Sequence, residues 1–198
     1  DALMCGIAGI AFRDRDRLPD RAGLAAMGEA IRHRGPDDAG EFLAPGIGLA
    51  SRRLAILDRS PAGRMPMASD DGRVVLVFNG EIYNHVELRD ELKRRGVRFR
   101  SGSDTEVLLR LYLQDGIDAV HRLLGMFAFA IWDQRQRALV LARDRMGVKP
   151  LLVRHDHEGL RFASEMRGLL AEPGVSPEID PEAVQDAERQ LEAGEGPT

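Results

Sequence analysis

The sequence MCGIAGI, residues 4–10, contains Cys5, the only cysteine of the 198-residue chain. A short apolar run interrupted by glycines is typical of a buried strand with close backbone neighbours, so we predict a strand over residues 5–12 with Cys5 at its end. If Met4 is an initiator methionine that is removed, Cys5 carries both a thiol and a free α-amine. Their ordinary pKa values, about 8.5 and about 7.7–8.0, are close enough for the amine to act as the base for a nucleophilic thiol. The alternative is that Cys5 is a small buried side chain without a chemical role.

The overall composition limits the class of protein. A chain of this length suits one domain, or one domain with an appendage, and a content of 43% hydrophobic residues excludes a disordered chain. The 28 basic and 32 acidic residues are scattered, so no nucleic-acid partner is expected. A single cysteine fits a reducing cytoplasm, and the start lacks the features of a signal peptide. The longest strongly apolar run, residues 126–132, is too short to span a membrane, so we expect a cytoplasmic protein with no membrane partner.

Periodicity and turn residues predict the helices and strands. Asp20 is predicted to cap a helix over residues 21–32. Ser103 and Glu106 form a capping-box pattern, which places Asp104 at the N-terminus of a later helix. Further helices are predicted over 85–95 and from Pro181 (capped by Asp180, with Val184, Ala187 and Leu191 on its apolar face), and strands over 47–57, 74–78, 126–132, 138–142, 150–154 and 160–163. The last four strands are expected to form the meander of a second sheet, and the lack of strand–helix–strand alternation indicates an α+β protein with antiparallel sheets.

Polar residues stand at informative places in this pattern. Arg53 lies inside the predicted strand over 47–57, among apolar neighbours, where a guanidinium needs an anion. Asn79-Gly80-Glu81 directly follow the most strongly apolar strand of the chain. The charged turn HRGPDD at 33–38 is interpreted as shaping a loop. Arg143, Asp144 and Lys149 are interpreted as a surface turn with salt bridges and are given no catalytic role.

Eight motifs in register identify a family. The chain resembles the glutaminase domain of class II glutamine amidotransferases, which belong to the N-terminal nucleophile hydrolases, and among these the asparagine synthetase branch. The motifs are MCGI at 4–7, HRGPDD at 33–38, RRLAILD at 52–58, NGEIYN at 79–84, GSDTE at 102–106, GMFAFAIWD at 125–133, RDRMGVKPL at 143–151 and FASE at 162–165. The resemblance implies a four-layer αββα sandwich of two mainly antiparallel sheets, with Cys5 between them.

The resemblance also implies roles for six residues. Cys5 corresponds to the nucleophile that attacks the side-chain amide of glutamine, forms a glutamyl thioester and releases ammonia. Asn79 and Gly80 correspond to the oxyanion hole, through a side-chain amide and a backbone N–H. Arg53 corresponds to the residue that binds the α-carboxylate of glutamine, and Glu81 and Asp104 to the acids that hold its α-ammonium. No metal is implied.

The resemblance covers residues 4 to about 170. We therefore expect an extension or initiator segment at 1–4, a glutaminase domain at 5–170 and a linker or tail at 171–198. A full asparagine synthetase continues into an ATP-using domain with a pyrophosphate loop, and no such loop occurs in this sequence. No cofactor is expected in this domain, whereas ATP and Mg²⁺ are implied for the absent synthetase domain. The expected partners are L-glutamine and a synthetase domain or chain that receives ammonia, and a homo-oligomer is possible.

The family pattern leaves alternatives open. Aspartate is the implied acceptor of the ammonia, but related enzymes amidate other carboxylates. A non-catalytic binding or assembly module of the same fold is the second alternative, because the four residues before Cys5 lock its α-amine in a peptide bond. If they stay attached, we expect little glutaminase activity. Ser51 also departs from the pattern, since the family often has a histidine there.

Overall fold

A computed structural model describes residues 4–55, 58 and 60–173, together with residues 175, 181, 182, 185 and 189. Residues 4–173, as far as they are described, form two antiparallel β-sheets and four α-helices. The strands are β1 (Gly6–Phe12), β2 (Asp38–Ala44), β3 (Ile47–Arg53), β4 (Met67–Ala68), β5 (Val74–Ile82), β6 (Gly125–Asp133), β7 (Ala138–Arg143), β8 (Leu152–His155) and β9 (Gly159–Ala163), and the helices are α1 (Arg21–Ala30), α2 (His85–Arg94), α3 (Asp104–Asp115) and α4 (Met166–Leu170). Within these limits, no helix combines the length and apolar character needed to cross a bilayer.

The first sheet has the strand order β2-β3-β1-β9-β8, with β1 in its centre. The glycines of β1 allow this central position. A Cβ atom at Gly9 would lie 2.5 Å from the Phe162 ring and 2.8 Å from the Gly48 carbonyl oxygen, so the two neighbouring strands approach closer than any other residue permits. The predicted strand after Cys5 is therefore confirmed.

The second sheet has the order β4-β5-β6-β7. Strand β5 pairs with β6 along its whole length, from Val74 opposite Asp133 to Ile82 opposite Gly125. On its other edge β5 pairs with β4 only at residues 75 and 76. The C-terminal half of β5 therefore leaves one edge free of a strand partner among the described residues.

Apolar side chains divide the molecule into four layers. Leu24 and Met27 of α1 pack with Ile10 of β1 on the outer face of the first sheet. A second cluster lies between the sheets and includes Ile7 of β1 and Val77 of β5. A third cluster joins α2 and α3 to the outer face of the second sheet. This arrangement confirms the αββα sandwich.

Strand alternation places the polar residues relative to these layers. Side chains two residues apart share a face of a strand. Ile7 faces the space between the sheets, and Cys5 directly precedes β1. Ile47 and Leu49 belong to the same cluster, and Arg53 follows them at even spacing on β3. Val75 and Val77 of β5 also belong to this cluster, and Asn79 follows them on the same face of the strand.

Several sequence predictions need correction. Strands β8 and β9 do not join the second sheet as a meander: β9 pairs with β1, with Ala163 opposite Ala8, because the chain crosses between the sheets after β7. Strand β3 ends at Arg53, where a strand over 47–57 was predicted. Strand β5 continues through Asn79-Gly80-Glu81 to Ile82. Strands β2 and β4 and helix α4 were not predicted.

Other predictions are confirmed or fall outside the described residues. The Asp20 carboxylate accepts hydrogen bonds from the N–H groups of Ala22 and Gly23 and caps α1. Residues 181, 182, 185 and 189 are helical, as predicted for the last helix. Its predicted cap, Asp180, and its predicted apolar residues, Val184, Ala187 and Leu191, lie outside the described residues. The division into 1–4, 5–170 and 171–198 stays a prediction.

Candidate active site

A cavity of about 300 Å³ opens where β1, β3 and β5 bring their polar residues together. The structure places all six predicted site residues in its wall: Cys5, Arg53, Asn79, Gly80, Glu81 and Asp104. Met4, Thr105 and Lys149 also line it. The roles of the six residues stay predictions, but their convergence from four separate elements is a property of the fold.

Cys5 is held at both its backbone and its side chain. Its carbonyl oxygen accepts a hydrogen bond of 3.0 Å from Arg34 Nε. Its Sγ accepts a 3.4 Å bond from the Leu54 N–H. Burial raises the pKa of the Cys5 thiol, while the Leu54 backbone bond and the positive charge of Arg53 act in the opposite direction. With its pKa raised, the thiol needs a base to become nucleophilic at neutral pH.

Asn79 has an unusual environment. Its side chain is 1% exposed, and neither Oδ1 nor Nδ2 has a hydrogen-bond partner among the described residues. A buried, unpartnered amide costs free energy of folding, about 1–3 kcal/mol for each unsatisfied group. Buried polar groups are nearly always paired in native proteins, so such an exception indicates a ligand or a catalytic role.

Gly80 presents its backbone to the same cavity. The Ile82 N–H points away from β6, because it donates to Asp104 Oδ2 at 3.0 Å. N–H groups two residues apart in a strand point to the same edge, so the Gly80 N–H also points away from β6. The glycine itself is required by the neighbouring strand, since a Cβ at this position would lie 2.3 Å from the Met126 carbonyl oxygen.

Arg53 lies at the end of β3 and is buried. Its Nη2 donates to the carbonyl oxygen of Asp58. A Cβ at Gly63 would lie 2.5 Å from Arg53 Nη2, so this glycine leaves room for the guanidinium. The Asp58 carboxylate accepts from the Gly102 N–H at 2.8 Å and links the loop that holds Arg53 to the loop before α3.

Asp104 and Glu81 form the acidic side of the cavity. Asp104 is the first residue of α3, and Ser103 Oγ caps this helix by accepting from the Glu106 N–H. Only half of the predicted capping box forms, because the Glu106 carboxylate accepts from the N–H groups of Arg100 and Ser101 instead of reaching back to Ser103. Burial raises the pKa of Asp104, and the nearby charge of Glu81 adds to this effect. A cation bound here would offset the repulsion between the carboxylates of Asp104 and Glu81.

Comparison of the sequence with known protein families identifies the family of this chain. The sequence matches the family of glutamine amidotransferase domains over residues 4–193. The chain belongs to this family.

Known members and related structures agree with this assignment. The domain is 39% identical over 189 residues to asparagine synthetase [glutamine-hydrolyzing] 1 of Bacillus subtilis, covering 92% of this chain and 29% of that protein. It is 40% identical over 168 residues to asparagine synthetase B [glutamine-hydrolyzing] of Escherichia coli, covering 84% of this chain and 30% of that protein. The chain thus spans less than a third of the length of these relatives.

A solved structure supports the fold. The domain superimposes on a glutamine phosphoribosylpyrophosphate amidotransferase of Bacillus subtilis with a TM-score of 0.66 and 23% identity, covering 83% of this chain and 43% of the other. This likeness concerns the fold alone and agrees with the αββα sandwich of two mainly antiparallel sheets.

Two further residues of this amidotransferase domain support the cavity. Arg34, which was predicted only to shape a loop, reaches Cys5 O with Nε and the Glu165 carboxylate with Nη1 at 2.8 Å. Lys149 was interpreted as part of a surface turn, and this is wrong: it is buried and lines the cavity. Asp144 is buried as well, because its carboxylate accepts backbone N–H groups of its own loop. The sequence could not show that Lys149 lies in the same cavity as Cys5, because the two residues are 144 positions apart.

The described residues offer no obvious metal site. No group of three or more His, Cys, Asp or Glu side chains in this part of the domain is arranged to hold a metal ion. None of the described residues in the cavity wall is a histidine.

Proposed function

We propose that this domain hydrolyses L-glutamine to L-glutamate and ammonia through a thioester on Cys5. The single observation that carries the proposal is Asn79, a buried amide whose polar atoms lack partners in the described structure and which lines the same cavity as the only thiol. Its folding cost has an explanation if the amide donates to charge that develops during a reaction.

Free glutamine suits the charges of the cavity. Arg53 offers a planar donor group for the α-carboxylate. Glu81 and Asp104 offer negative charge for the α-ammonium, and Asp104 is rigid because its two oxygens accept the N–H groups of Ile82 and Thr105. A glutamine residue inside a peptide has neither charged end, so we expect free glutamine to be the substrate.

The acylation step follows from the groups at the two walls of the cavity. The Cys5 sulfur attacks the side-chain amide carbon, and the thiol proton passes to the α-amine. The carbonyl oxygen becomes an oxyanion that Asn79 Nδ2 and the Gly80 N–H stabilise. When the C–N bond breaks, the amine returns the proton to the nitrogen, which leaves as ammonia. Water then attacks the thioester with the amine as base, and glutamate and the thiol are regenerated.

The α-amine is available as the base only if Cys5 is the first residue. In the described structure Met4 precedes it, donates its N–H to Arg34 O at 2.9 Å and lines the cavity. Removal of the residues before Cys5 would free the amine and also open space beside the thiol. We propose that the active form begins with Cys5.

The ammonia is proposed to serve an asparagine-synthetase-type amidation in the cytoplasm. Support comes from the names of the relatives and from the fact that this chain corresponds to less than a third of their length. The acceptor is proposed to be aspartate, activated by ATP and Mg²⁺ in a synthetase domain or partner chain. Another carboxylate acceptor is the alternative, and the residues described here do not bind that substrate.

The test is glutamate release by the full-length protein and its Cys5→Ala variant. Intact mass first establishes that Cys5 is the first residue. We expect the unmutated protein to release glutamate and ammonia in equal amounts, and the variant to lose at least about 10³-fold in rate while keeping the same thermal unfolding temperature. If the unmutated protein with a free Cys5 releases no glutamate even with aspartate and ATP present, the domain is a non-catalytic module.

A further inference from the structure

Lys149 occupies a fixed position in the cavity wall. It lies in the connection between β7 and β8 and is 4% exposed. Its N–H donates to Asp144 Oδ2 at 2.9 Å, and its carbonyl oxygen accepts from Arg143 Nε at 2.8 Å. Because both backbone groups are hydrogen-bonded and Pro150 follows, the backbone of Lys149 is fixed and its side chain extends toward Cys5 and Met4.

Among the described residues, no carboxylate forms an ion pair with the ammonium group of Lys149. Its Nζ contacts Met4 Sδ at 2.6 Å, and Lys149 takes part in no ion pair within the part of the chain that the structure describes. A buried charge without a partner is costly, so such groups are retained where they act on a neighbour. The chain has only one other lysine, Lys93, which is exposed on α2.

We infer that Lys149 is a positioning residue whose positive charge disfavours the inactive acid form of Cys5, in which the thiol and the α-amine are both protonated. The inference rests on the proposed function and adds a residue that the six motif-derived assignments leave out. It concerns the pair, so it does not depend on which of the two groups carries the shared proton.

The proton balance gives the sign of the effect. The inactive acid form of the pair is a thiol with an ammonium, with a charge of +1. Loss of one proton gives the working form, a thiol with an amine or a thiolate with an ammonium, with no net charge. A fixed positive charge nearby raises the free energy of the +1 form more than that of the neutral form. The proton is therefore lost at a lower pH when Lys149 is charged.

Other charged groups act on the same two residues. Arg53 from β3 also favours loss of the proton from Cys5, whereas Asp104 from α3 opposes it. Around Lys149, burial and the charge of Arg34 disfavour the ammonium, and Cys5, Glu81 and Asp144 favour it. A neutral replacement of Lys149 leaves all these groups in place, so a comparison of variants isolates its charge.

The experiment measures kcat/KM for glutamine against pH in the full-length protein with Cys5 as its first residue. The variants are Lys149→Met and Lys149→Gln, which are neutral, Lys149→Arg, which keeps the charge, and Lys93→Met as the matched control. We expect the acid limb to move up by roughly 1 pH unit in both neutral variants, with roughly tenfold lower activity below the limb and little change on the plateau. Lys149→Arg and Lys93→Met should keep the original limb.

A second readout does not need catalysis. The rate at which iodoacetamide alkylates Cys5, followed by mass spectrometry of the peptide that contains it, should show the same upward shift in the neutral variants. An unchanged acid limb and an unchanged alkylation profile in a folded neutral variant would overturn the inference. If the protein alkylates with the expected shift but no variant releases glutamate, the proposed function fails and the effect of Lys149 on Cys5 stands.

Discussion

The core between the two sheets and the cavity at its end are built from the same strands with opposite chemistry. Ile7 on β1 and Val77 on β5 are buried apolar residues of the core. Asn79 stands two positions from Val77 on the same face of β5, and Cys5 directly precedes β1. The core stabilises the fold by burying apolar surface, while the cavity holds a thiol of raised pKa and an unpartnered amide. The difference shows that the candidate site is an end of the core where buried polar groups replace apolar packing, at a cost in stability.

The largest difference between core and cavity is expected when one side chain from each is truncated on β5. Asn79→Ala should lower kcat for glutamate release by about 10²–10³-fold, because it removes the proposed oxyanion donor. It should leave the free energy of unfolding unchanged or higher, because a buried unpartnered amide disappears. Urea unfolding and the glutamate assay on the same samples measure both effects.

Val77→Ala is the matched control on the same face of β5. It should lower the free energy of unfolding by about 2 kcal/mol, because it removes buried methyl groups, and change kcat by less than about threefold. If Asn79→Ala destabilises the protein as much as Val77→Ala does, then Asn79 belongs to the core and the comparison is wrong.

A smaller effect is expected at Asp104, whose burial raises its pKa. As pH falls through that raised value, the carboxylate becomes neutral and loses its attraction for the α-ammonium, so KM for glutamine should rise at a pH above the ordinary titration range of aspartate. Asp104→Asn should raise KM roughly tenfold at neutral pH and remove this part of its pH dependence. Steady-state kinetics between pH 4.5 and 8 measures both effects.

The stability of the same variant has a defined sign. Because the folded pKa of Asp104 lies above its unfolded value, its titration stabilises the fold fully below the unfolded pKa of about 3.9 and loses this contribution as pH rises through the folded pKa. Asp104→Asn also loses one of the two hydrogen bonds that the Asp104 oxygens accept, so the sign is read from the pH dependence and not from one pH. The stability of the unmutated protein relative to the variant should fall as pH rises from about 4 to about 7, and a rise would contradict the assigned direction.

The smallest effect on activity is expected on the core side. Ser164 Oγ is buried and accepts a 3.0 Å hydrogen bond from the Ile7 N–H. Ser164→Ala leaves that N–H without its partner and should cost about 1–3 kcal/mol of stability, with less than about a threefold change in kcat/KM. Differential scanning calorimetry and the glutamate assay test this, and a large loss of activity with intact stability would show that the boundary between core and site is drawn in the wrong place.

The sequence alone could predict those parts of the fold that depend on local pattern. Cys5 was found because it is the single cysteine at the start of an apolar strand, Arg53 because it lies inside such a strand and Asn79 because it follows one. Their site roles, and that of Asp104, came from the family resemblance. The assignment of β8 and β9 to a sheet was wrong, because the pairing of Ala163 with Ala8 joins positions far apart in the chain. Strand β2 was missed because its residues DAGEFLA are only partly buried and alternate weakly.

The same limit explains the missed part of the site. Lys149 stands in a motif rich in charged and turn residues, RDRMGVKPL, which is typical of an exposed loop. Its burial results from the Asp144 carboxylate, which accepts the N–H groups of Val148 and Lys149 and folds the loop inward. The unpartnered state of Asn79 likewise depends on distant packing and has no signature in sequence.

We propose that the thiol and the free α-amine of Cys5 act together, and one paired measurement tests this mechanism. Glutamate release is compared between the protein that begins at Cys5 and the same protein with Met4 retained, each verified by intact mass. The account predicts steady release by the first and a rate at least about 10³-fold lower for the second, because the retained peptide bond removes the base. Equal rates from the two proteins would contradict the claim and require a different base for the thiol.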